Sequence, residues 1–406
     1  MNIVLLAPRN LLRSWHRSLV TTLAMGFAGV IMIVFASLMD GMLQASERNA
    51  TMMNTGELQL HAKTYLDDPD LYAVMHDEKA LLEKLSTVGV SASPRLFAFA
   101  LAAAGSSSAG VQLRGITPSR EAQVTEIHKH LMLGLWLDEV DTEGVVLGRK
   151  LARSLNIKVG EEVILLGQAS DGSMANEIFR VRGILKAVAD DIDRAGFFML
   201  SSSFRKLMVV NEGVHEIAMK RLNQSDTLET KQQQVQDIAG PYEVKDWRSL
   251  MPVIARILEL ADAQTIFMLL ITYVAVGMVI LNAMLMSVFE RIREFGIMKA
   301  LGVNPWQIVQ LVFAEAILQA VVASLFALAM GAWLALLLQE RGIDFSHMVS
   351  ATSFAGIALE PVWYAQVSFR SLALPIVFLF FMTLLAVIYP AIKAALIKPV
   401  DAIHHF

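Results

Sequence analysis

Four stretches of this chain carry no internal charge over lengths that a lipid bilayer demands, and that constraint governs what else it can fold into. They are Ser18–Met39, Ala263–Phe289, Ala316–Gln339 and Ser371–Ile392. About 20 apolar residues in a helix cross the hydrocarbon core. Inside hydrocarbon the backbone polar groups must be satisfied within the segment, so each stretch is predicted to be a helix. The third helix is predicted to start near Trp306, with Glu315 inside it. The first stretch is not a cleaved leader on this pattern. Its uncharged core exceeds the roughly 7–15 residues of a leader's apolar region, and no small-residue site follows at Met39-Asp40-Gly41. The whole chain agrees with a membrane protein: 55% of its 406 residues are hydrophobic and 18% charged, against about 25% charged in soluble domains.

Basic residues beside helix ends set orientation. Arg9, Arg13 and Arg17 precede the first helix, Arg291, Arg293 and Lys299 lie between the second and third, and Lys393 and Lys398 follow the fourth. The loop after the third helix mixes Arg341 and Arg370 with Glu340, Asp344 and Glu360. The consistent solution puts both termini in the cytoplasm. The expected organisation is an amphipathic N-terminal segment (1–17), a first span (18–43), an extracytoplasmic domain (44–261), a second span (262–289), a cytoplasmic helix (290–305), a third span (306–339), an outside loop (340–370), a fourth span (371–393) and a cytoplasmic tail (394–406). In the first segment Val4, Leu5, Leu11, Leu12 and Trp15 can share one side and the arginines the other, as in an interfacial helix.

The outside block reads as mixed α and β. "GELQLHA" alternates like a strand. "DDPDLYAVMHDEKALLEKLSTV" opens with turn residues and continues at helical spacing. "SPRLFAFALAAAGSSSAGVQLRGI" reads as two strands about a Gly/Ser turn. "EGVVLGRKLARSLNIKVGEEVILLG" reads as strand or turn, helix, then strand. "GQASDGSMANEIFRVRGIL" reads as a hairpin with a polar tip at Ser170–Asn176. "DWRSLMPVIARILELADAQTIFMLL" is predicted to start a helix near Ser249, with Pro252 in its first turn, and to run directly into the second span as a stalk.

Several chemistries have no residues to support them. There are no cysteines, so disulfides and thiolate sites are excluded. The net charge of −4 gives no reason to expect a nucleic-acid partner. The phosphate-cradling pattern G-x-x-x-x-G-K-[ST] is missing, as are H-E-x-x-H and G-x-S-x-G. His128, His130, His404 and His405 lack ligand spacing, and no metal site is expected. Glu315 is expected near the cytoplasmic interface or paired with a neighbouring helix; a proton carrier is the alternative.

The segment 290–302, "ERIREFGIMKALG", places a short charged helix between two apolar spans. Glu290, Arg293 and Glu294 are spaced to share a face. Ile292, Phe295, Met298 and Leu301 form an apolar counterpart. Gly296 permits close approach, and Gly302 can end the helix before Asn304-Pro305 starts the next. Such a helix suits a protein contact better than a plain loop does.

This segment, with "VNPWQIVQLVFAEAIL" behind it, closely resembles the coupling-helix region of MacB/FtsX/LolC-type ABC transporter permeases. "RNLLRSWHRSLVTTLA", "YPAIKAALIKPVDAI", "LRGITPSREAQV", "GVVLGRKLARSLNIKVGEEVIL" and "FRVRGIL" are also similar to that family, so the resemblance covers essentially the whole chain. It implies a four-helix permease with a MacB-like α+β extracytoplasmic domain in a bacterial inner membrane. It implies an ABC ATPase on a separate chain, which uses ATP and magnesium, while this chain binds no cofactor and is not an enzyme. It implies a second permease subunit, in a homodimer or heterodimer. Glu290, Arg291, Arg293, Glu294, Phe295, Gly296, Lys299, Leu301 and Gly302 are then the docking residues for the ATPase.

Within the family, a large outside domain without a fused ATPase most resembles the lipoprotein-releasing LolC/LolE branch. The alternatives are an FtsX-like transmitter that regulates a wall hydrolase and MacB-like efflux of hydrophobic compounds through an adaptor. Lipoprotein release implies membrane lipid and acyl-chain contact, which flexible thioethers suit; Met39, Met42, Met268 and Met278 are the candidate contacts. A periplasmic carrier would be met by the hairpin tip, Ser170, Asp171, Gly172, Ser173 and Met174.

Overall fold

The computed structural model describes residues 7–13, 15–63, 65–223, 226–344, 353–354, 357–358 and 362–397. Val4, Leu5, Glu360, Lys398, His404 and His405 lie outside the described residues, as do the side chains of Leu12 and Arg17. In chain order the helices begin with α1 (Ala7–Arg13), α2 (Trp15–Ala50), α3 (Glu78–Thr87) and α4 (Pro118–Val124). Next come α5 (Arg149–Ser154), α6 (Asp190–Ala195), α7 (Ser201–Met208) and α8 (Leu228–Ala239). The last are α9 (Trp247–Leu250), α10 (Pro252–Glu290), α11 (Ile292–Ala300), α12 (Pro305–Arg341) and α13 (Phe369–Leu396). The chain forms two compact units, residues 1–44, 258–345 and 362–406 in one and 45–257 with 346–361 in the other.

The first unit is built from α2, α10, α12 and α13, four helices long and apolar enough to cross a membrane. Pro252 sits at the first position of α10, where its missing N–H costs nothing. That helix has 39 residues, about 58 Å at 1.5 Å per residue, far more than a bilayer core of about 30 Å requires. Asn304 starts α12 with a reciprocal capping box to Gln307, and Pro305 follows at the first position. Small residues bring α2 and α12 together. A side-chain carbon added at Gly29 would lie 2.6 Å from the Ala327 methyl, and one at Gly26 2.7 Å from the Phe326 ring. Lipid gives helices no hydrophobic drive to associate, so such close backbone approach supplies the packing.

The two ends of this bundle are chemically distinct. At one end α1, α11 and the C-terminal end of α13 meet. At the other, the Gln366 N–H donates to the Ser37 carbonyl (2.8 Å), Ser368 donates to Asp40 (2.6 Å), and Arg370 pairs with Asp262 (2.8 Å). A short ribbon, Ile343–Asp344 against Val362–Trp363, closes the loop between α12 and α13.

The second unit is a mixed α/β domain. Its strands are β1 (Leu58–His61), β2 (Val90–Ala104), β3 (Ser107–Ile116), β4 (Leu131–Gly134) and β5 (Gly144–Leu147). They continue with β6 (Glu162–Gln168), β7 (Met174–Leu185), β8 (Gly196–Leu200), β9 (Glu216–Arg221) and β10 (Glu243–Asp246). The pairing β2–β3–β8–β5–β7–β6 returns to β2, so six strands close into a barrel. From β2 the sheet also extends through β9 and β1 to β10. β2 serves both because it is long: Val90–Arg95 pairs with β9, and Leu101–Ala103 with β6. Leu96, Leu113, Val145, Leu165, Val181, Phe197 and Phe204 fill the interior. α9 and α10 are separate helices, with Met251 between them, so the stalk begins at Pro252 rather than Ser249.

A buried ionic cluster ties the turn that precedes β1 to this sheet. A π-helical turn, Thr51–Thr55, follows α2. The Arg95 guanidinium donates to the Asn54 carbonyl (2.6 Å), to Glu216 (2.7 Å) and to Glu121 (2.5 Å). Arg114 donates to the Asn54 side chain (2.5 Å). Burial alone would raise the Glu121 carboxyl, but the charge of Arg95 and hydrogen bonds from Arg95, Thr125 and Ser93 bring it below the usual carboxylate range.

Two predictions follow from this packing. A carbon added at Gly41 would meet the Tyr364 carbonyl at 2.0 Å, a backbone atom with nowhere to move. Gly41→Ala is expected to cost about 1–3 kcal/mol of stability in thermal unfolding of the solubilised chain, whereas Gly110→Ala, which meets nothing, is expected to be near neutral. The second concerns His215, fully buried in its neutral form: Nδ1 accepts from the Phe97 N–H (3.1 Å) and Nε2 donates to the Leu71 carbonyl (3.0 Å). Burial lowers its pKa below 6.5, so the unfolded chain binds the proton first and stability falls as pH drops below about 6.5. Hydrogen exchange at the Phe97 amide is expected to quicken between pH 7.5 and 5.5 beyond its intrinsic chemistry. A His215→Asn variant is expected to lack most of that dependence.

Candidate functional site

The segment 290–302 does not form one continuous helix. α10 ends at Glu290, Arg291 breaks the register, and α11 begins at Ile292. Glu290 and Arg293 therefore do not share a helical face, as their spacing had predicted. The break turns Arg291 inward. Its guanidinium donates to both oxygens of Glu315, at 2.8 and 3.0 Å, and its Nε donates to Glu294 at 3.2 Å. It also lies 5.1 Å from the centre of the Phe295 ring, which is fully buried.

Glu315 is 4% exposed and sits nearly three turns into α12. A lone buried carboxylate there would be prohibitively costly; the paired guanidinium makes it tolerable. The Asn10 amide of α1 donates a further bond to it (2.7 Å). Arg13, one turn on in the same helix, donates to Glu294 (2.8 Å). The result is a ladder of alternating groups, Arg13–Glu294–Arg291–Glu315–Asn10, which begins and ends on α1. A small polar pocket of about 20 Å³ lies beside it, lined among others by Asn10, Thr21, Ser287, Arg291, Glu315 and Gln319.

The rungs differ greatly in strength. The Arg291–Glu315 side chains are 18% and 6% exposed, and removing one partner of so buried a pair costs about 3–5 kcal/mol. The Arg13–Glu294 side chains are 78% and 38% exposed, and such a pair contributes about 0–1 kcal/mol. At the other end of α11, the Lys299 ammonium donates to the carbonyls of Ala395 (2.6 Å) and Ile397 (2.7 Å), satisfying the C-terminal end of α13. α11 is thus pinned to α12, α13 and α1.

The residues named from sequence divide into two groups. Arg291, Phe295, Gly296 and Lys299 face inward or brace the helix, and Met298 is half-buried with them. Glu290, Arg293, Leu301 and Gly302 are exposed, together with Ile297 and Trp306, which the sequence reading left out. Glu294 stands between the groups, half-exposed. Asn10 was missed altogether. Arg13 was read as a topology marker and as part of the polar side of an interfacial helix. Glu315 was detectable as the sole charge between Pro305 and Gln339.

The other candidate residues lie elsewhere. Met268 and Met278 are exposed on α10, Met39 and Met42 are half-buried on α2, and Met25, Met32 and Met284 are in the bundle core. The hairpin tip is tight. The Ala169 N–H donates to the Ser173 carbonyl (2.9 Å), and Ser170 is bonded to the carbonyls of Met208 and Val209. Asp171, Gly172, Ser173 and Met174 are exposed. Among the described residues no group of histidines and carboxylates could hold a metal ion.

The model of the MacB-like periplasmic core domain matches residues 18–238, and that of the FtsX-like permease C-terminal region matches 266–399. The lipoprotein-releasing system transmembrane protein LolC of Xylella fastidiosa is 23% identical over 306 residues, 72% of each chain. LolC of Neisseria meningitidis is 24% identical over 300 residues, 70% of this chain and 68% of its own. The macrolide export ATP-binding/permease protein MacB of Bdellovibrio bacteriovorus is 29% identical over 154 residues, 36% of this chain and 20% of its own. The periplasmic region of MacB from Actinobacillus actinomycetemcomitans matches with a TM-score of 0.38 at 15% identity, covering 51% of this chain and 94% of its own. With the periplasmic-core model alone spanning more than half of the sequence, the protein belongs to the MacB/FtsX/LolC family of ABC transporter permeases.

Proposed function

We propose that this chain is the inner-membrane subunit of an ABC transporter that extracts lipoproteins from the membrane, driven by an ATPase on a separate polypeptide. The ATPase binds ATP and magnesium; this chain binds neither. The observation that carries the reading is α11, a helix braced on three sides that leaves Arg293, Ile297, Leu301 and Gly302 exposed. A docking element must transmit force without deforming, and the buried Arg291–Glu315 pair supplies that stiffness. The basic residues of α1, α11 and the end of α13 lie at one end of the bundle, which supports cytoplasmic termini and a cytoplasmic docking face. Force then travels along α10 to the MacB-like domain. A second permease subunit completes the dimer.

Lipid chemistry sets what the cargo path must do. An acyl chain leaving the bilayer for water loses about 0.8 kcal/mol per methylene, so it must pass into another apolar surface. Met268 and Met278, exposed on α10, with Met39 and Met42 on α2, are the proposed contacts. A carrier would meet the 170–174 turn. That turn is short and bonded to α7, which favours a second reading. In that reading the chain transmits force to a periplasmic partner, as an FtsX-like regulator of a wall hydrolase, and carries nothing.

Two experiments test the docking surface and its brace. Glu294→Lys is expected to abolish ATPase activity coupled to the complex while leaving the melting temperature within a few degrees of wild type. Unchanged coupled activity would remove the assigned surface. Glu315→Ala leaves Arg291 buried without its main partner and is expected to destabilise the chain by about 3–5 kcal/mol; Arg13→Ala is expected to cost under about 1 kcal/mol. Thermal unfolding in detergent measures both, and equal losses would contradict the assigned difference in strength. Purification of the wild-type complex from native membranes, with mass spectrometry of bound proteins and lipids, separates the two readings. Bound lipoprotein supports extraction, and a hydrolase without lipoprotein supports transmission.

A further inference from the structure

We infer that the polar pocket beside the Arg291–Glu315 pair is a water site: it holds one ordered water molecule, anchored by Gln319, that joins α2, α10 and α12 at the level of the buried ion pair.

The pocket has room for one such molecule. Its volume is about 20 Å³, and a cavity must offer at least about 10–15 Å³ to take a water. Its walls are polar on three helices: Ser18 and Thr21 on α2, Ser287 on α10, and Glu315 and Gln319 on α12, with Arg291 at the break after α10. Gln319 points to a ligand. It is 7% exposed, and its side-chain oxygen is sealed from bulk solvent with no hydrogen-bond partner among the described residues. A buried amide without a partner is costly. Half a turn of the terminal amide exchanges its oxygen and nitrogen, so the group can present an acceptor or a donor to the pocket.

Glu315 supplies the second partner. Its Oε1 accepts from Arg291 and Asn10, whereas its Oε2 accepts one bond, from Arg291 at 3.0 Å. A carboxylate oxygen has two lone pairs, so Oε2 can take a further donor. Gln319 lies four residues on from Glu315, on the same face of α12, so one molecule can bridge the two. The hydroxyls of Ser18, Thr21 and Ser287 complete the two to four contacts that a buried water makes.

Water fits where an ion does not. A cation would meet the Arg291 guanidinium and an anion the Glu315 carboxylate, and each of those charges already has its partner. A neutral molecule that both donates and accepts matches the mixed lining. Bound there, it ties the three helices together and adds a hydrogen bond to a carboxylate whose burial is costly.

Met284 lines the same pocket and reports on it. Met25 and Met32 are buried in the same bundle core to a similar degree and do not line it. The full-length chain in lipid nanodiscs receives a brief X-ray pulse, which converts water to hydroxyl radicals where it stands. Mass spectrometry then reads sulfoxide formation at each methionine. Radicals from bulk water do not penetrate a packed bundle, so a buried methionine is oxidised by water held beside it. Met284 is expected to be oxidised several times faster than Met25 and Met32. Gln319→Leu, which removes the anchor, is expected to bring Met284 down to their rate. Equal protection of the three methionines in the wild-type chain would show a pocket without water and overturn the proposal, whether or not the variant folds. Rapid oxidation of Met284 that Gln319→Leu leaves unchanged would overturn it too, since the water would then not depend on Gln319.

Discussion

The structure turns on one buried charge pair, Arg291 with Glu315. The helices around it are among the most apolar parts of the chain, and neither charge could stay there alone. The pair goes with a break between α10 and α11, where Arg291 leaves the helical register and faces α12. Once broken, the chain presents a separate short helix, and the same arginine fixes the orientation of that helix through Glu294 and Phe295. One arginine thus orients the element and braces it.

Stiffness alone would make α11 a strut. Its attachments also differ in strength. The Glu315 and Lys299 contacts draw on burial and on carbonyls at a helix terminus, while the Arg13 contact is open to water. In the MacB-like domain a comparable arrangement recurs, where Arg95 and Arg114 grip Asn54 in the π-helical turn after α2. There both guanidinium groups are buried and Asn54 is half-buried, so these contacts are better shielded from water than the Arg13 contact.

Much of this was legible in the sequence. The four long helices follow from charge-free runs, α12 begins where Asn304-Pro305 calls for a start, and most strands of the first half of the outer domain follow from alternation and turns. What was not legible depends on distant pairing. Glu315 stood out as a lone charge, but its partner is 24 positions away, and Arg13 meets Glu294 across 281. The helical spacing of Glu290 and Arg293 suggested a common face because nothing local betrays the break at Arg291. Barrel closure was likewise hidden, since β2 must pair with β9 at one end and β6 at the other, and both partners come later in the chain.

The proposed function puts the exposed face of α11 against an ATPase in the cytoplasm. A photoreactive amino acid placed at Leu301, which is 80% exposed and braces nothing, tests it in native membranes. Irradiation followed by mass spectrometry is expected to yield a crosslink to an ABC-type nucleotide-binding protein. A crosslink to a periplasmic protein would contradict the account.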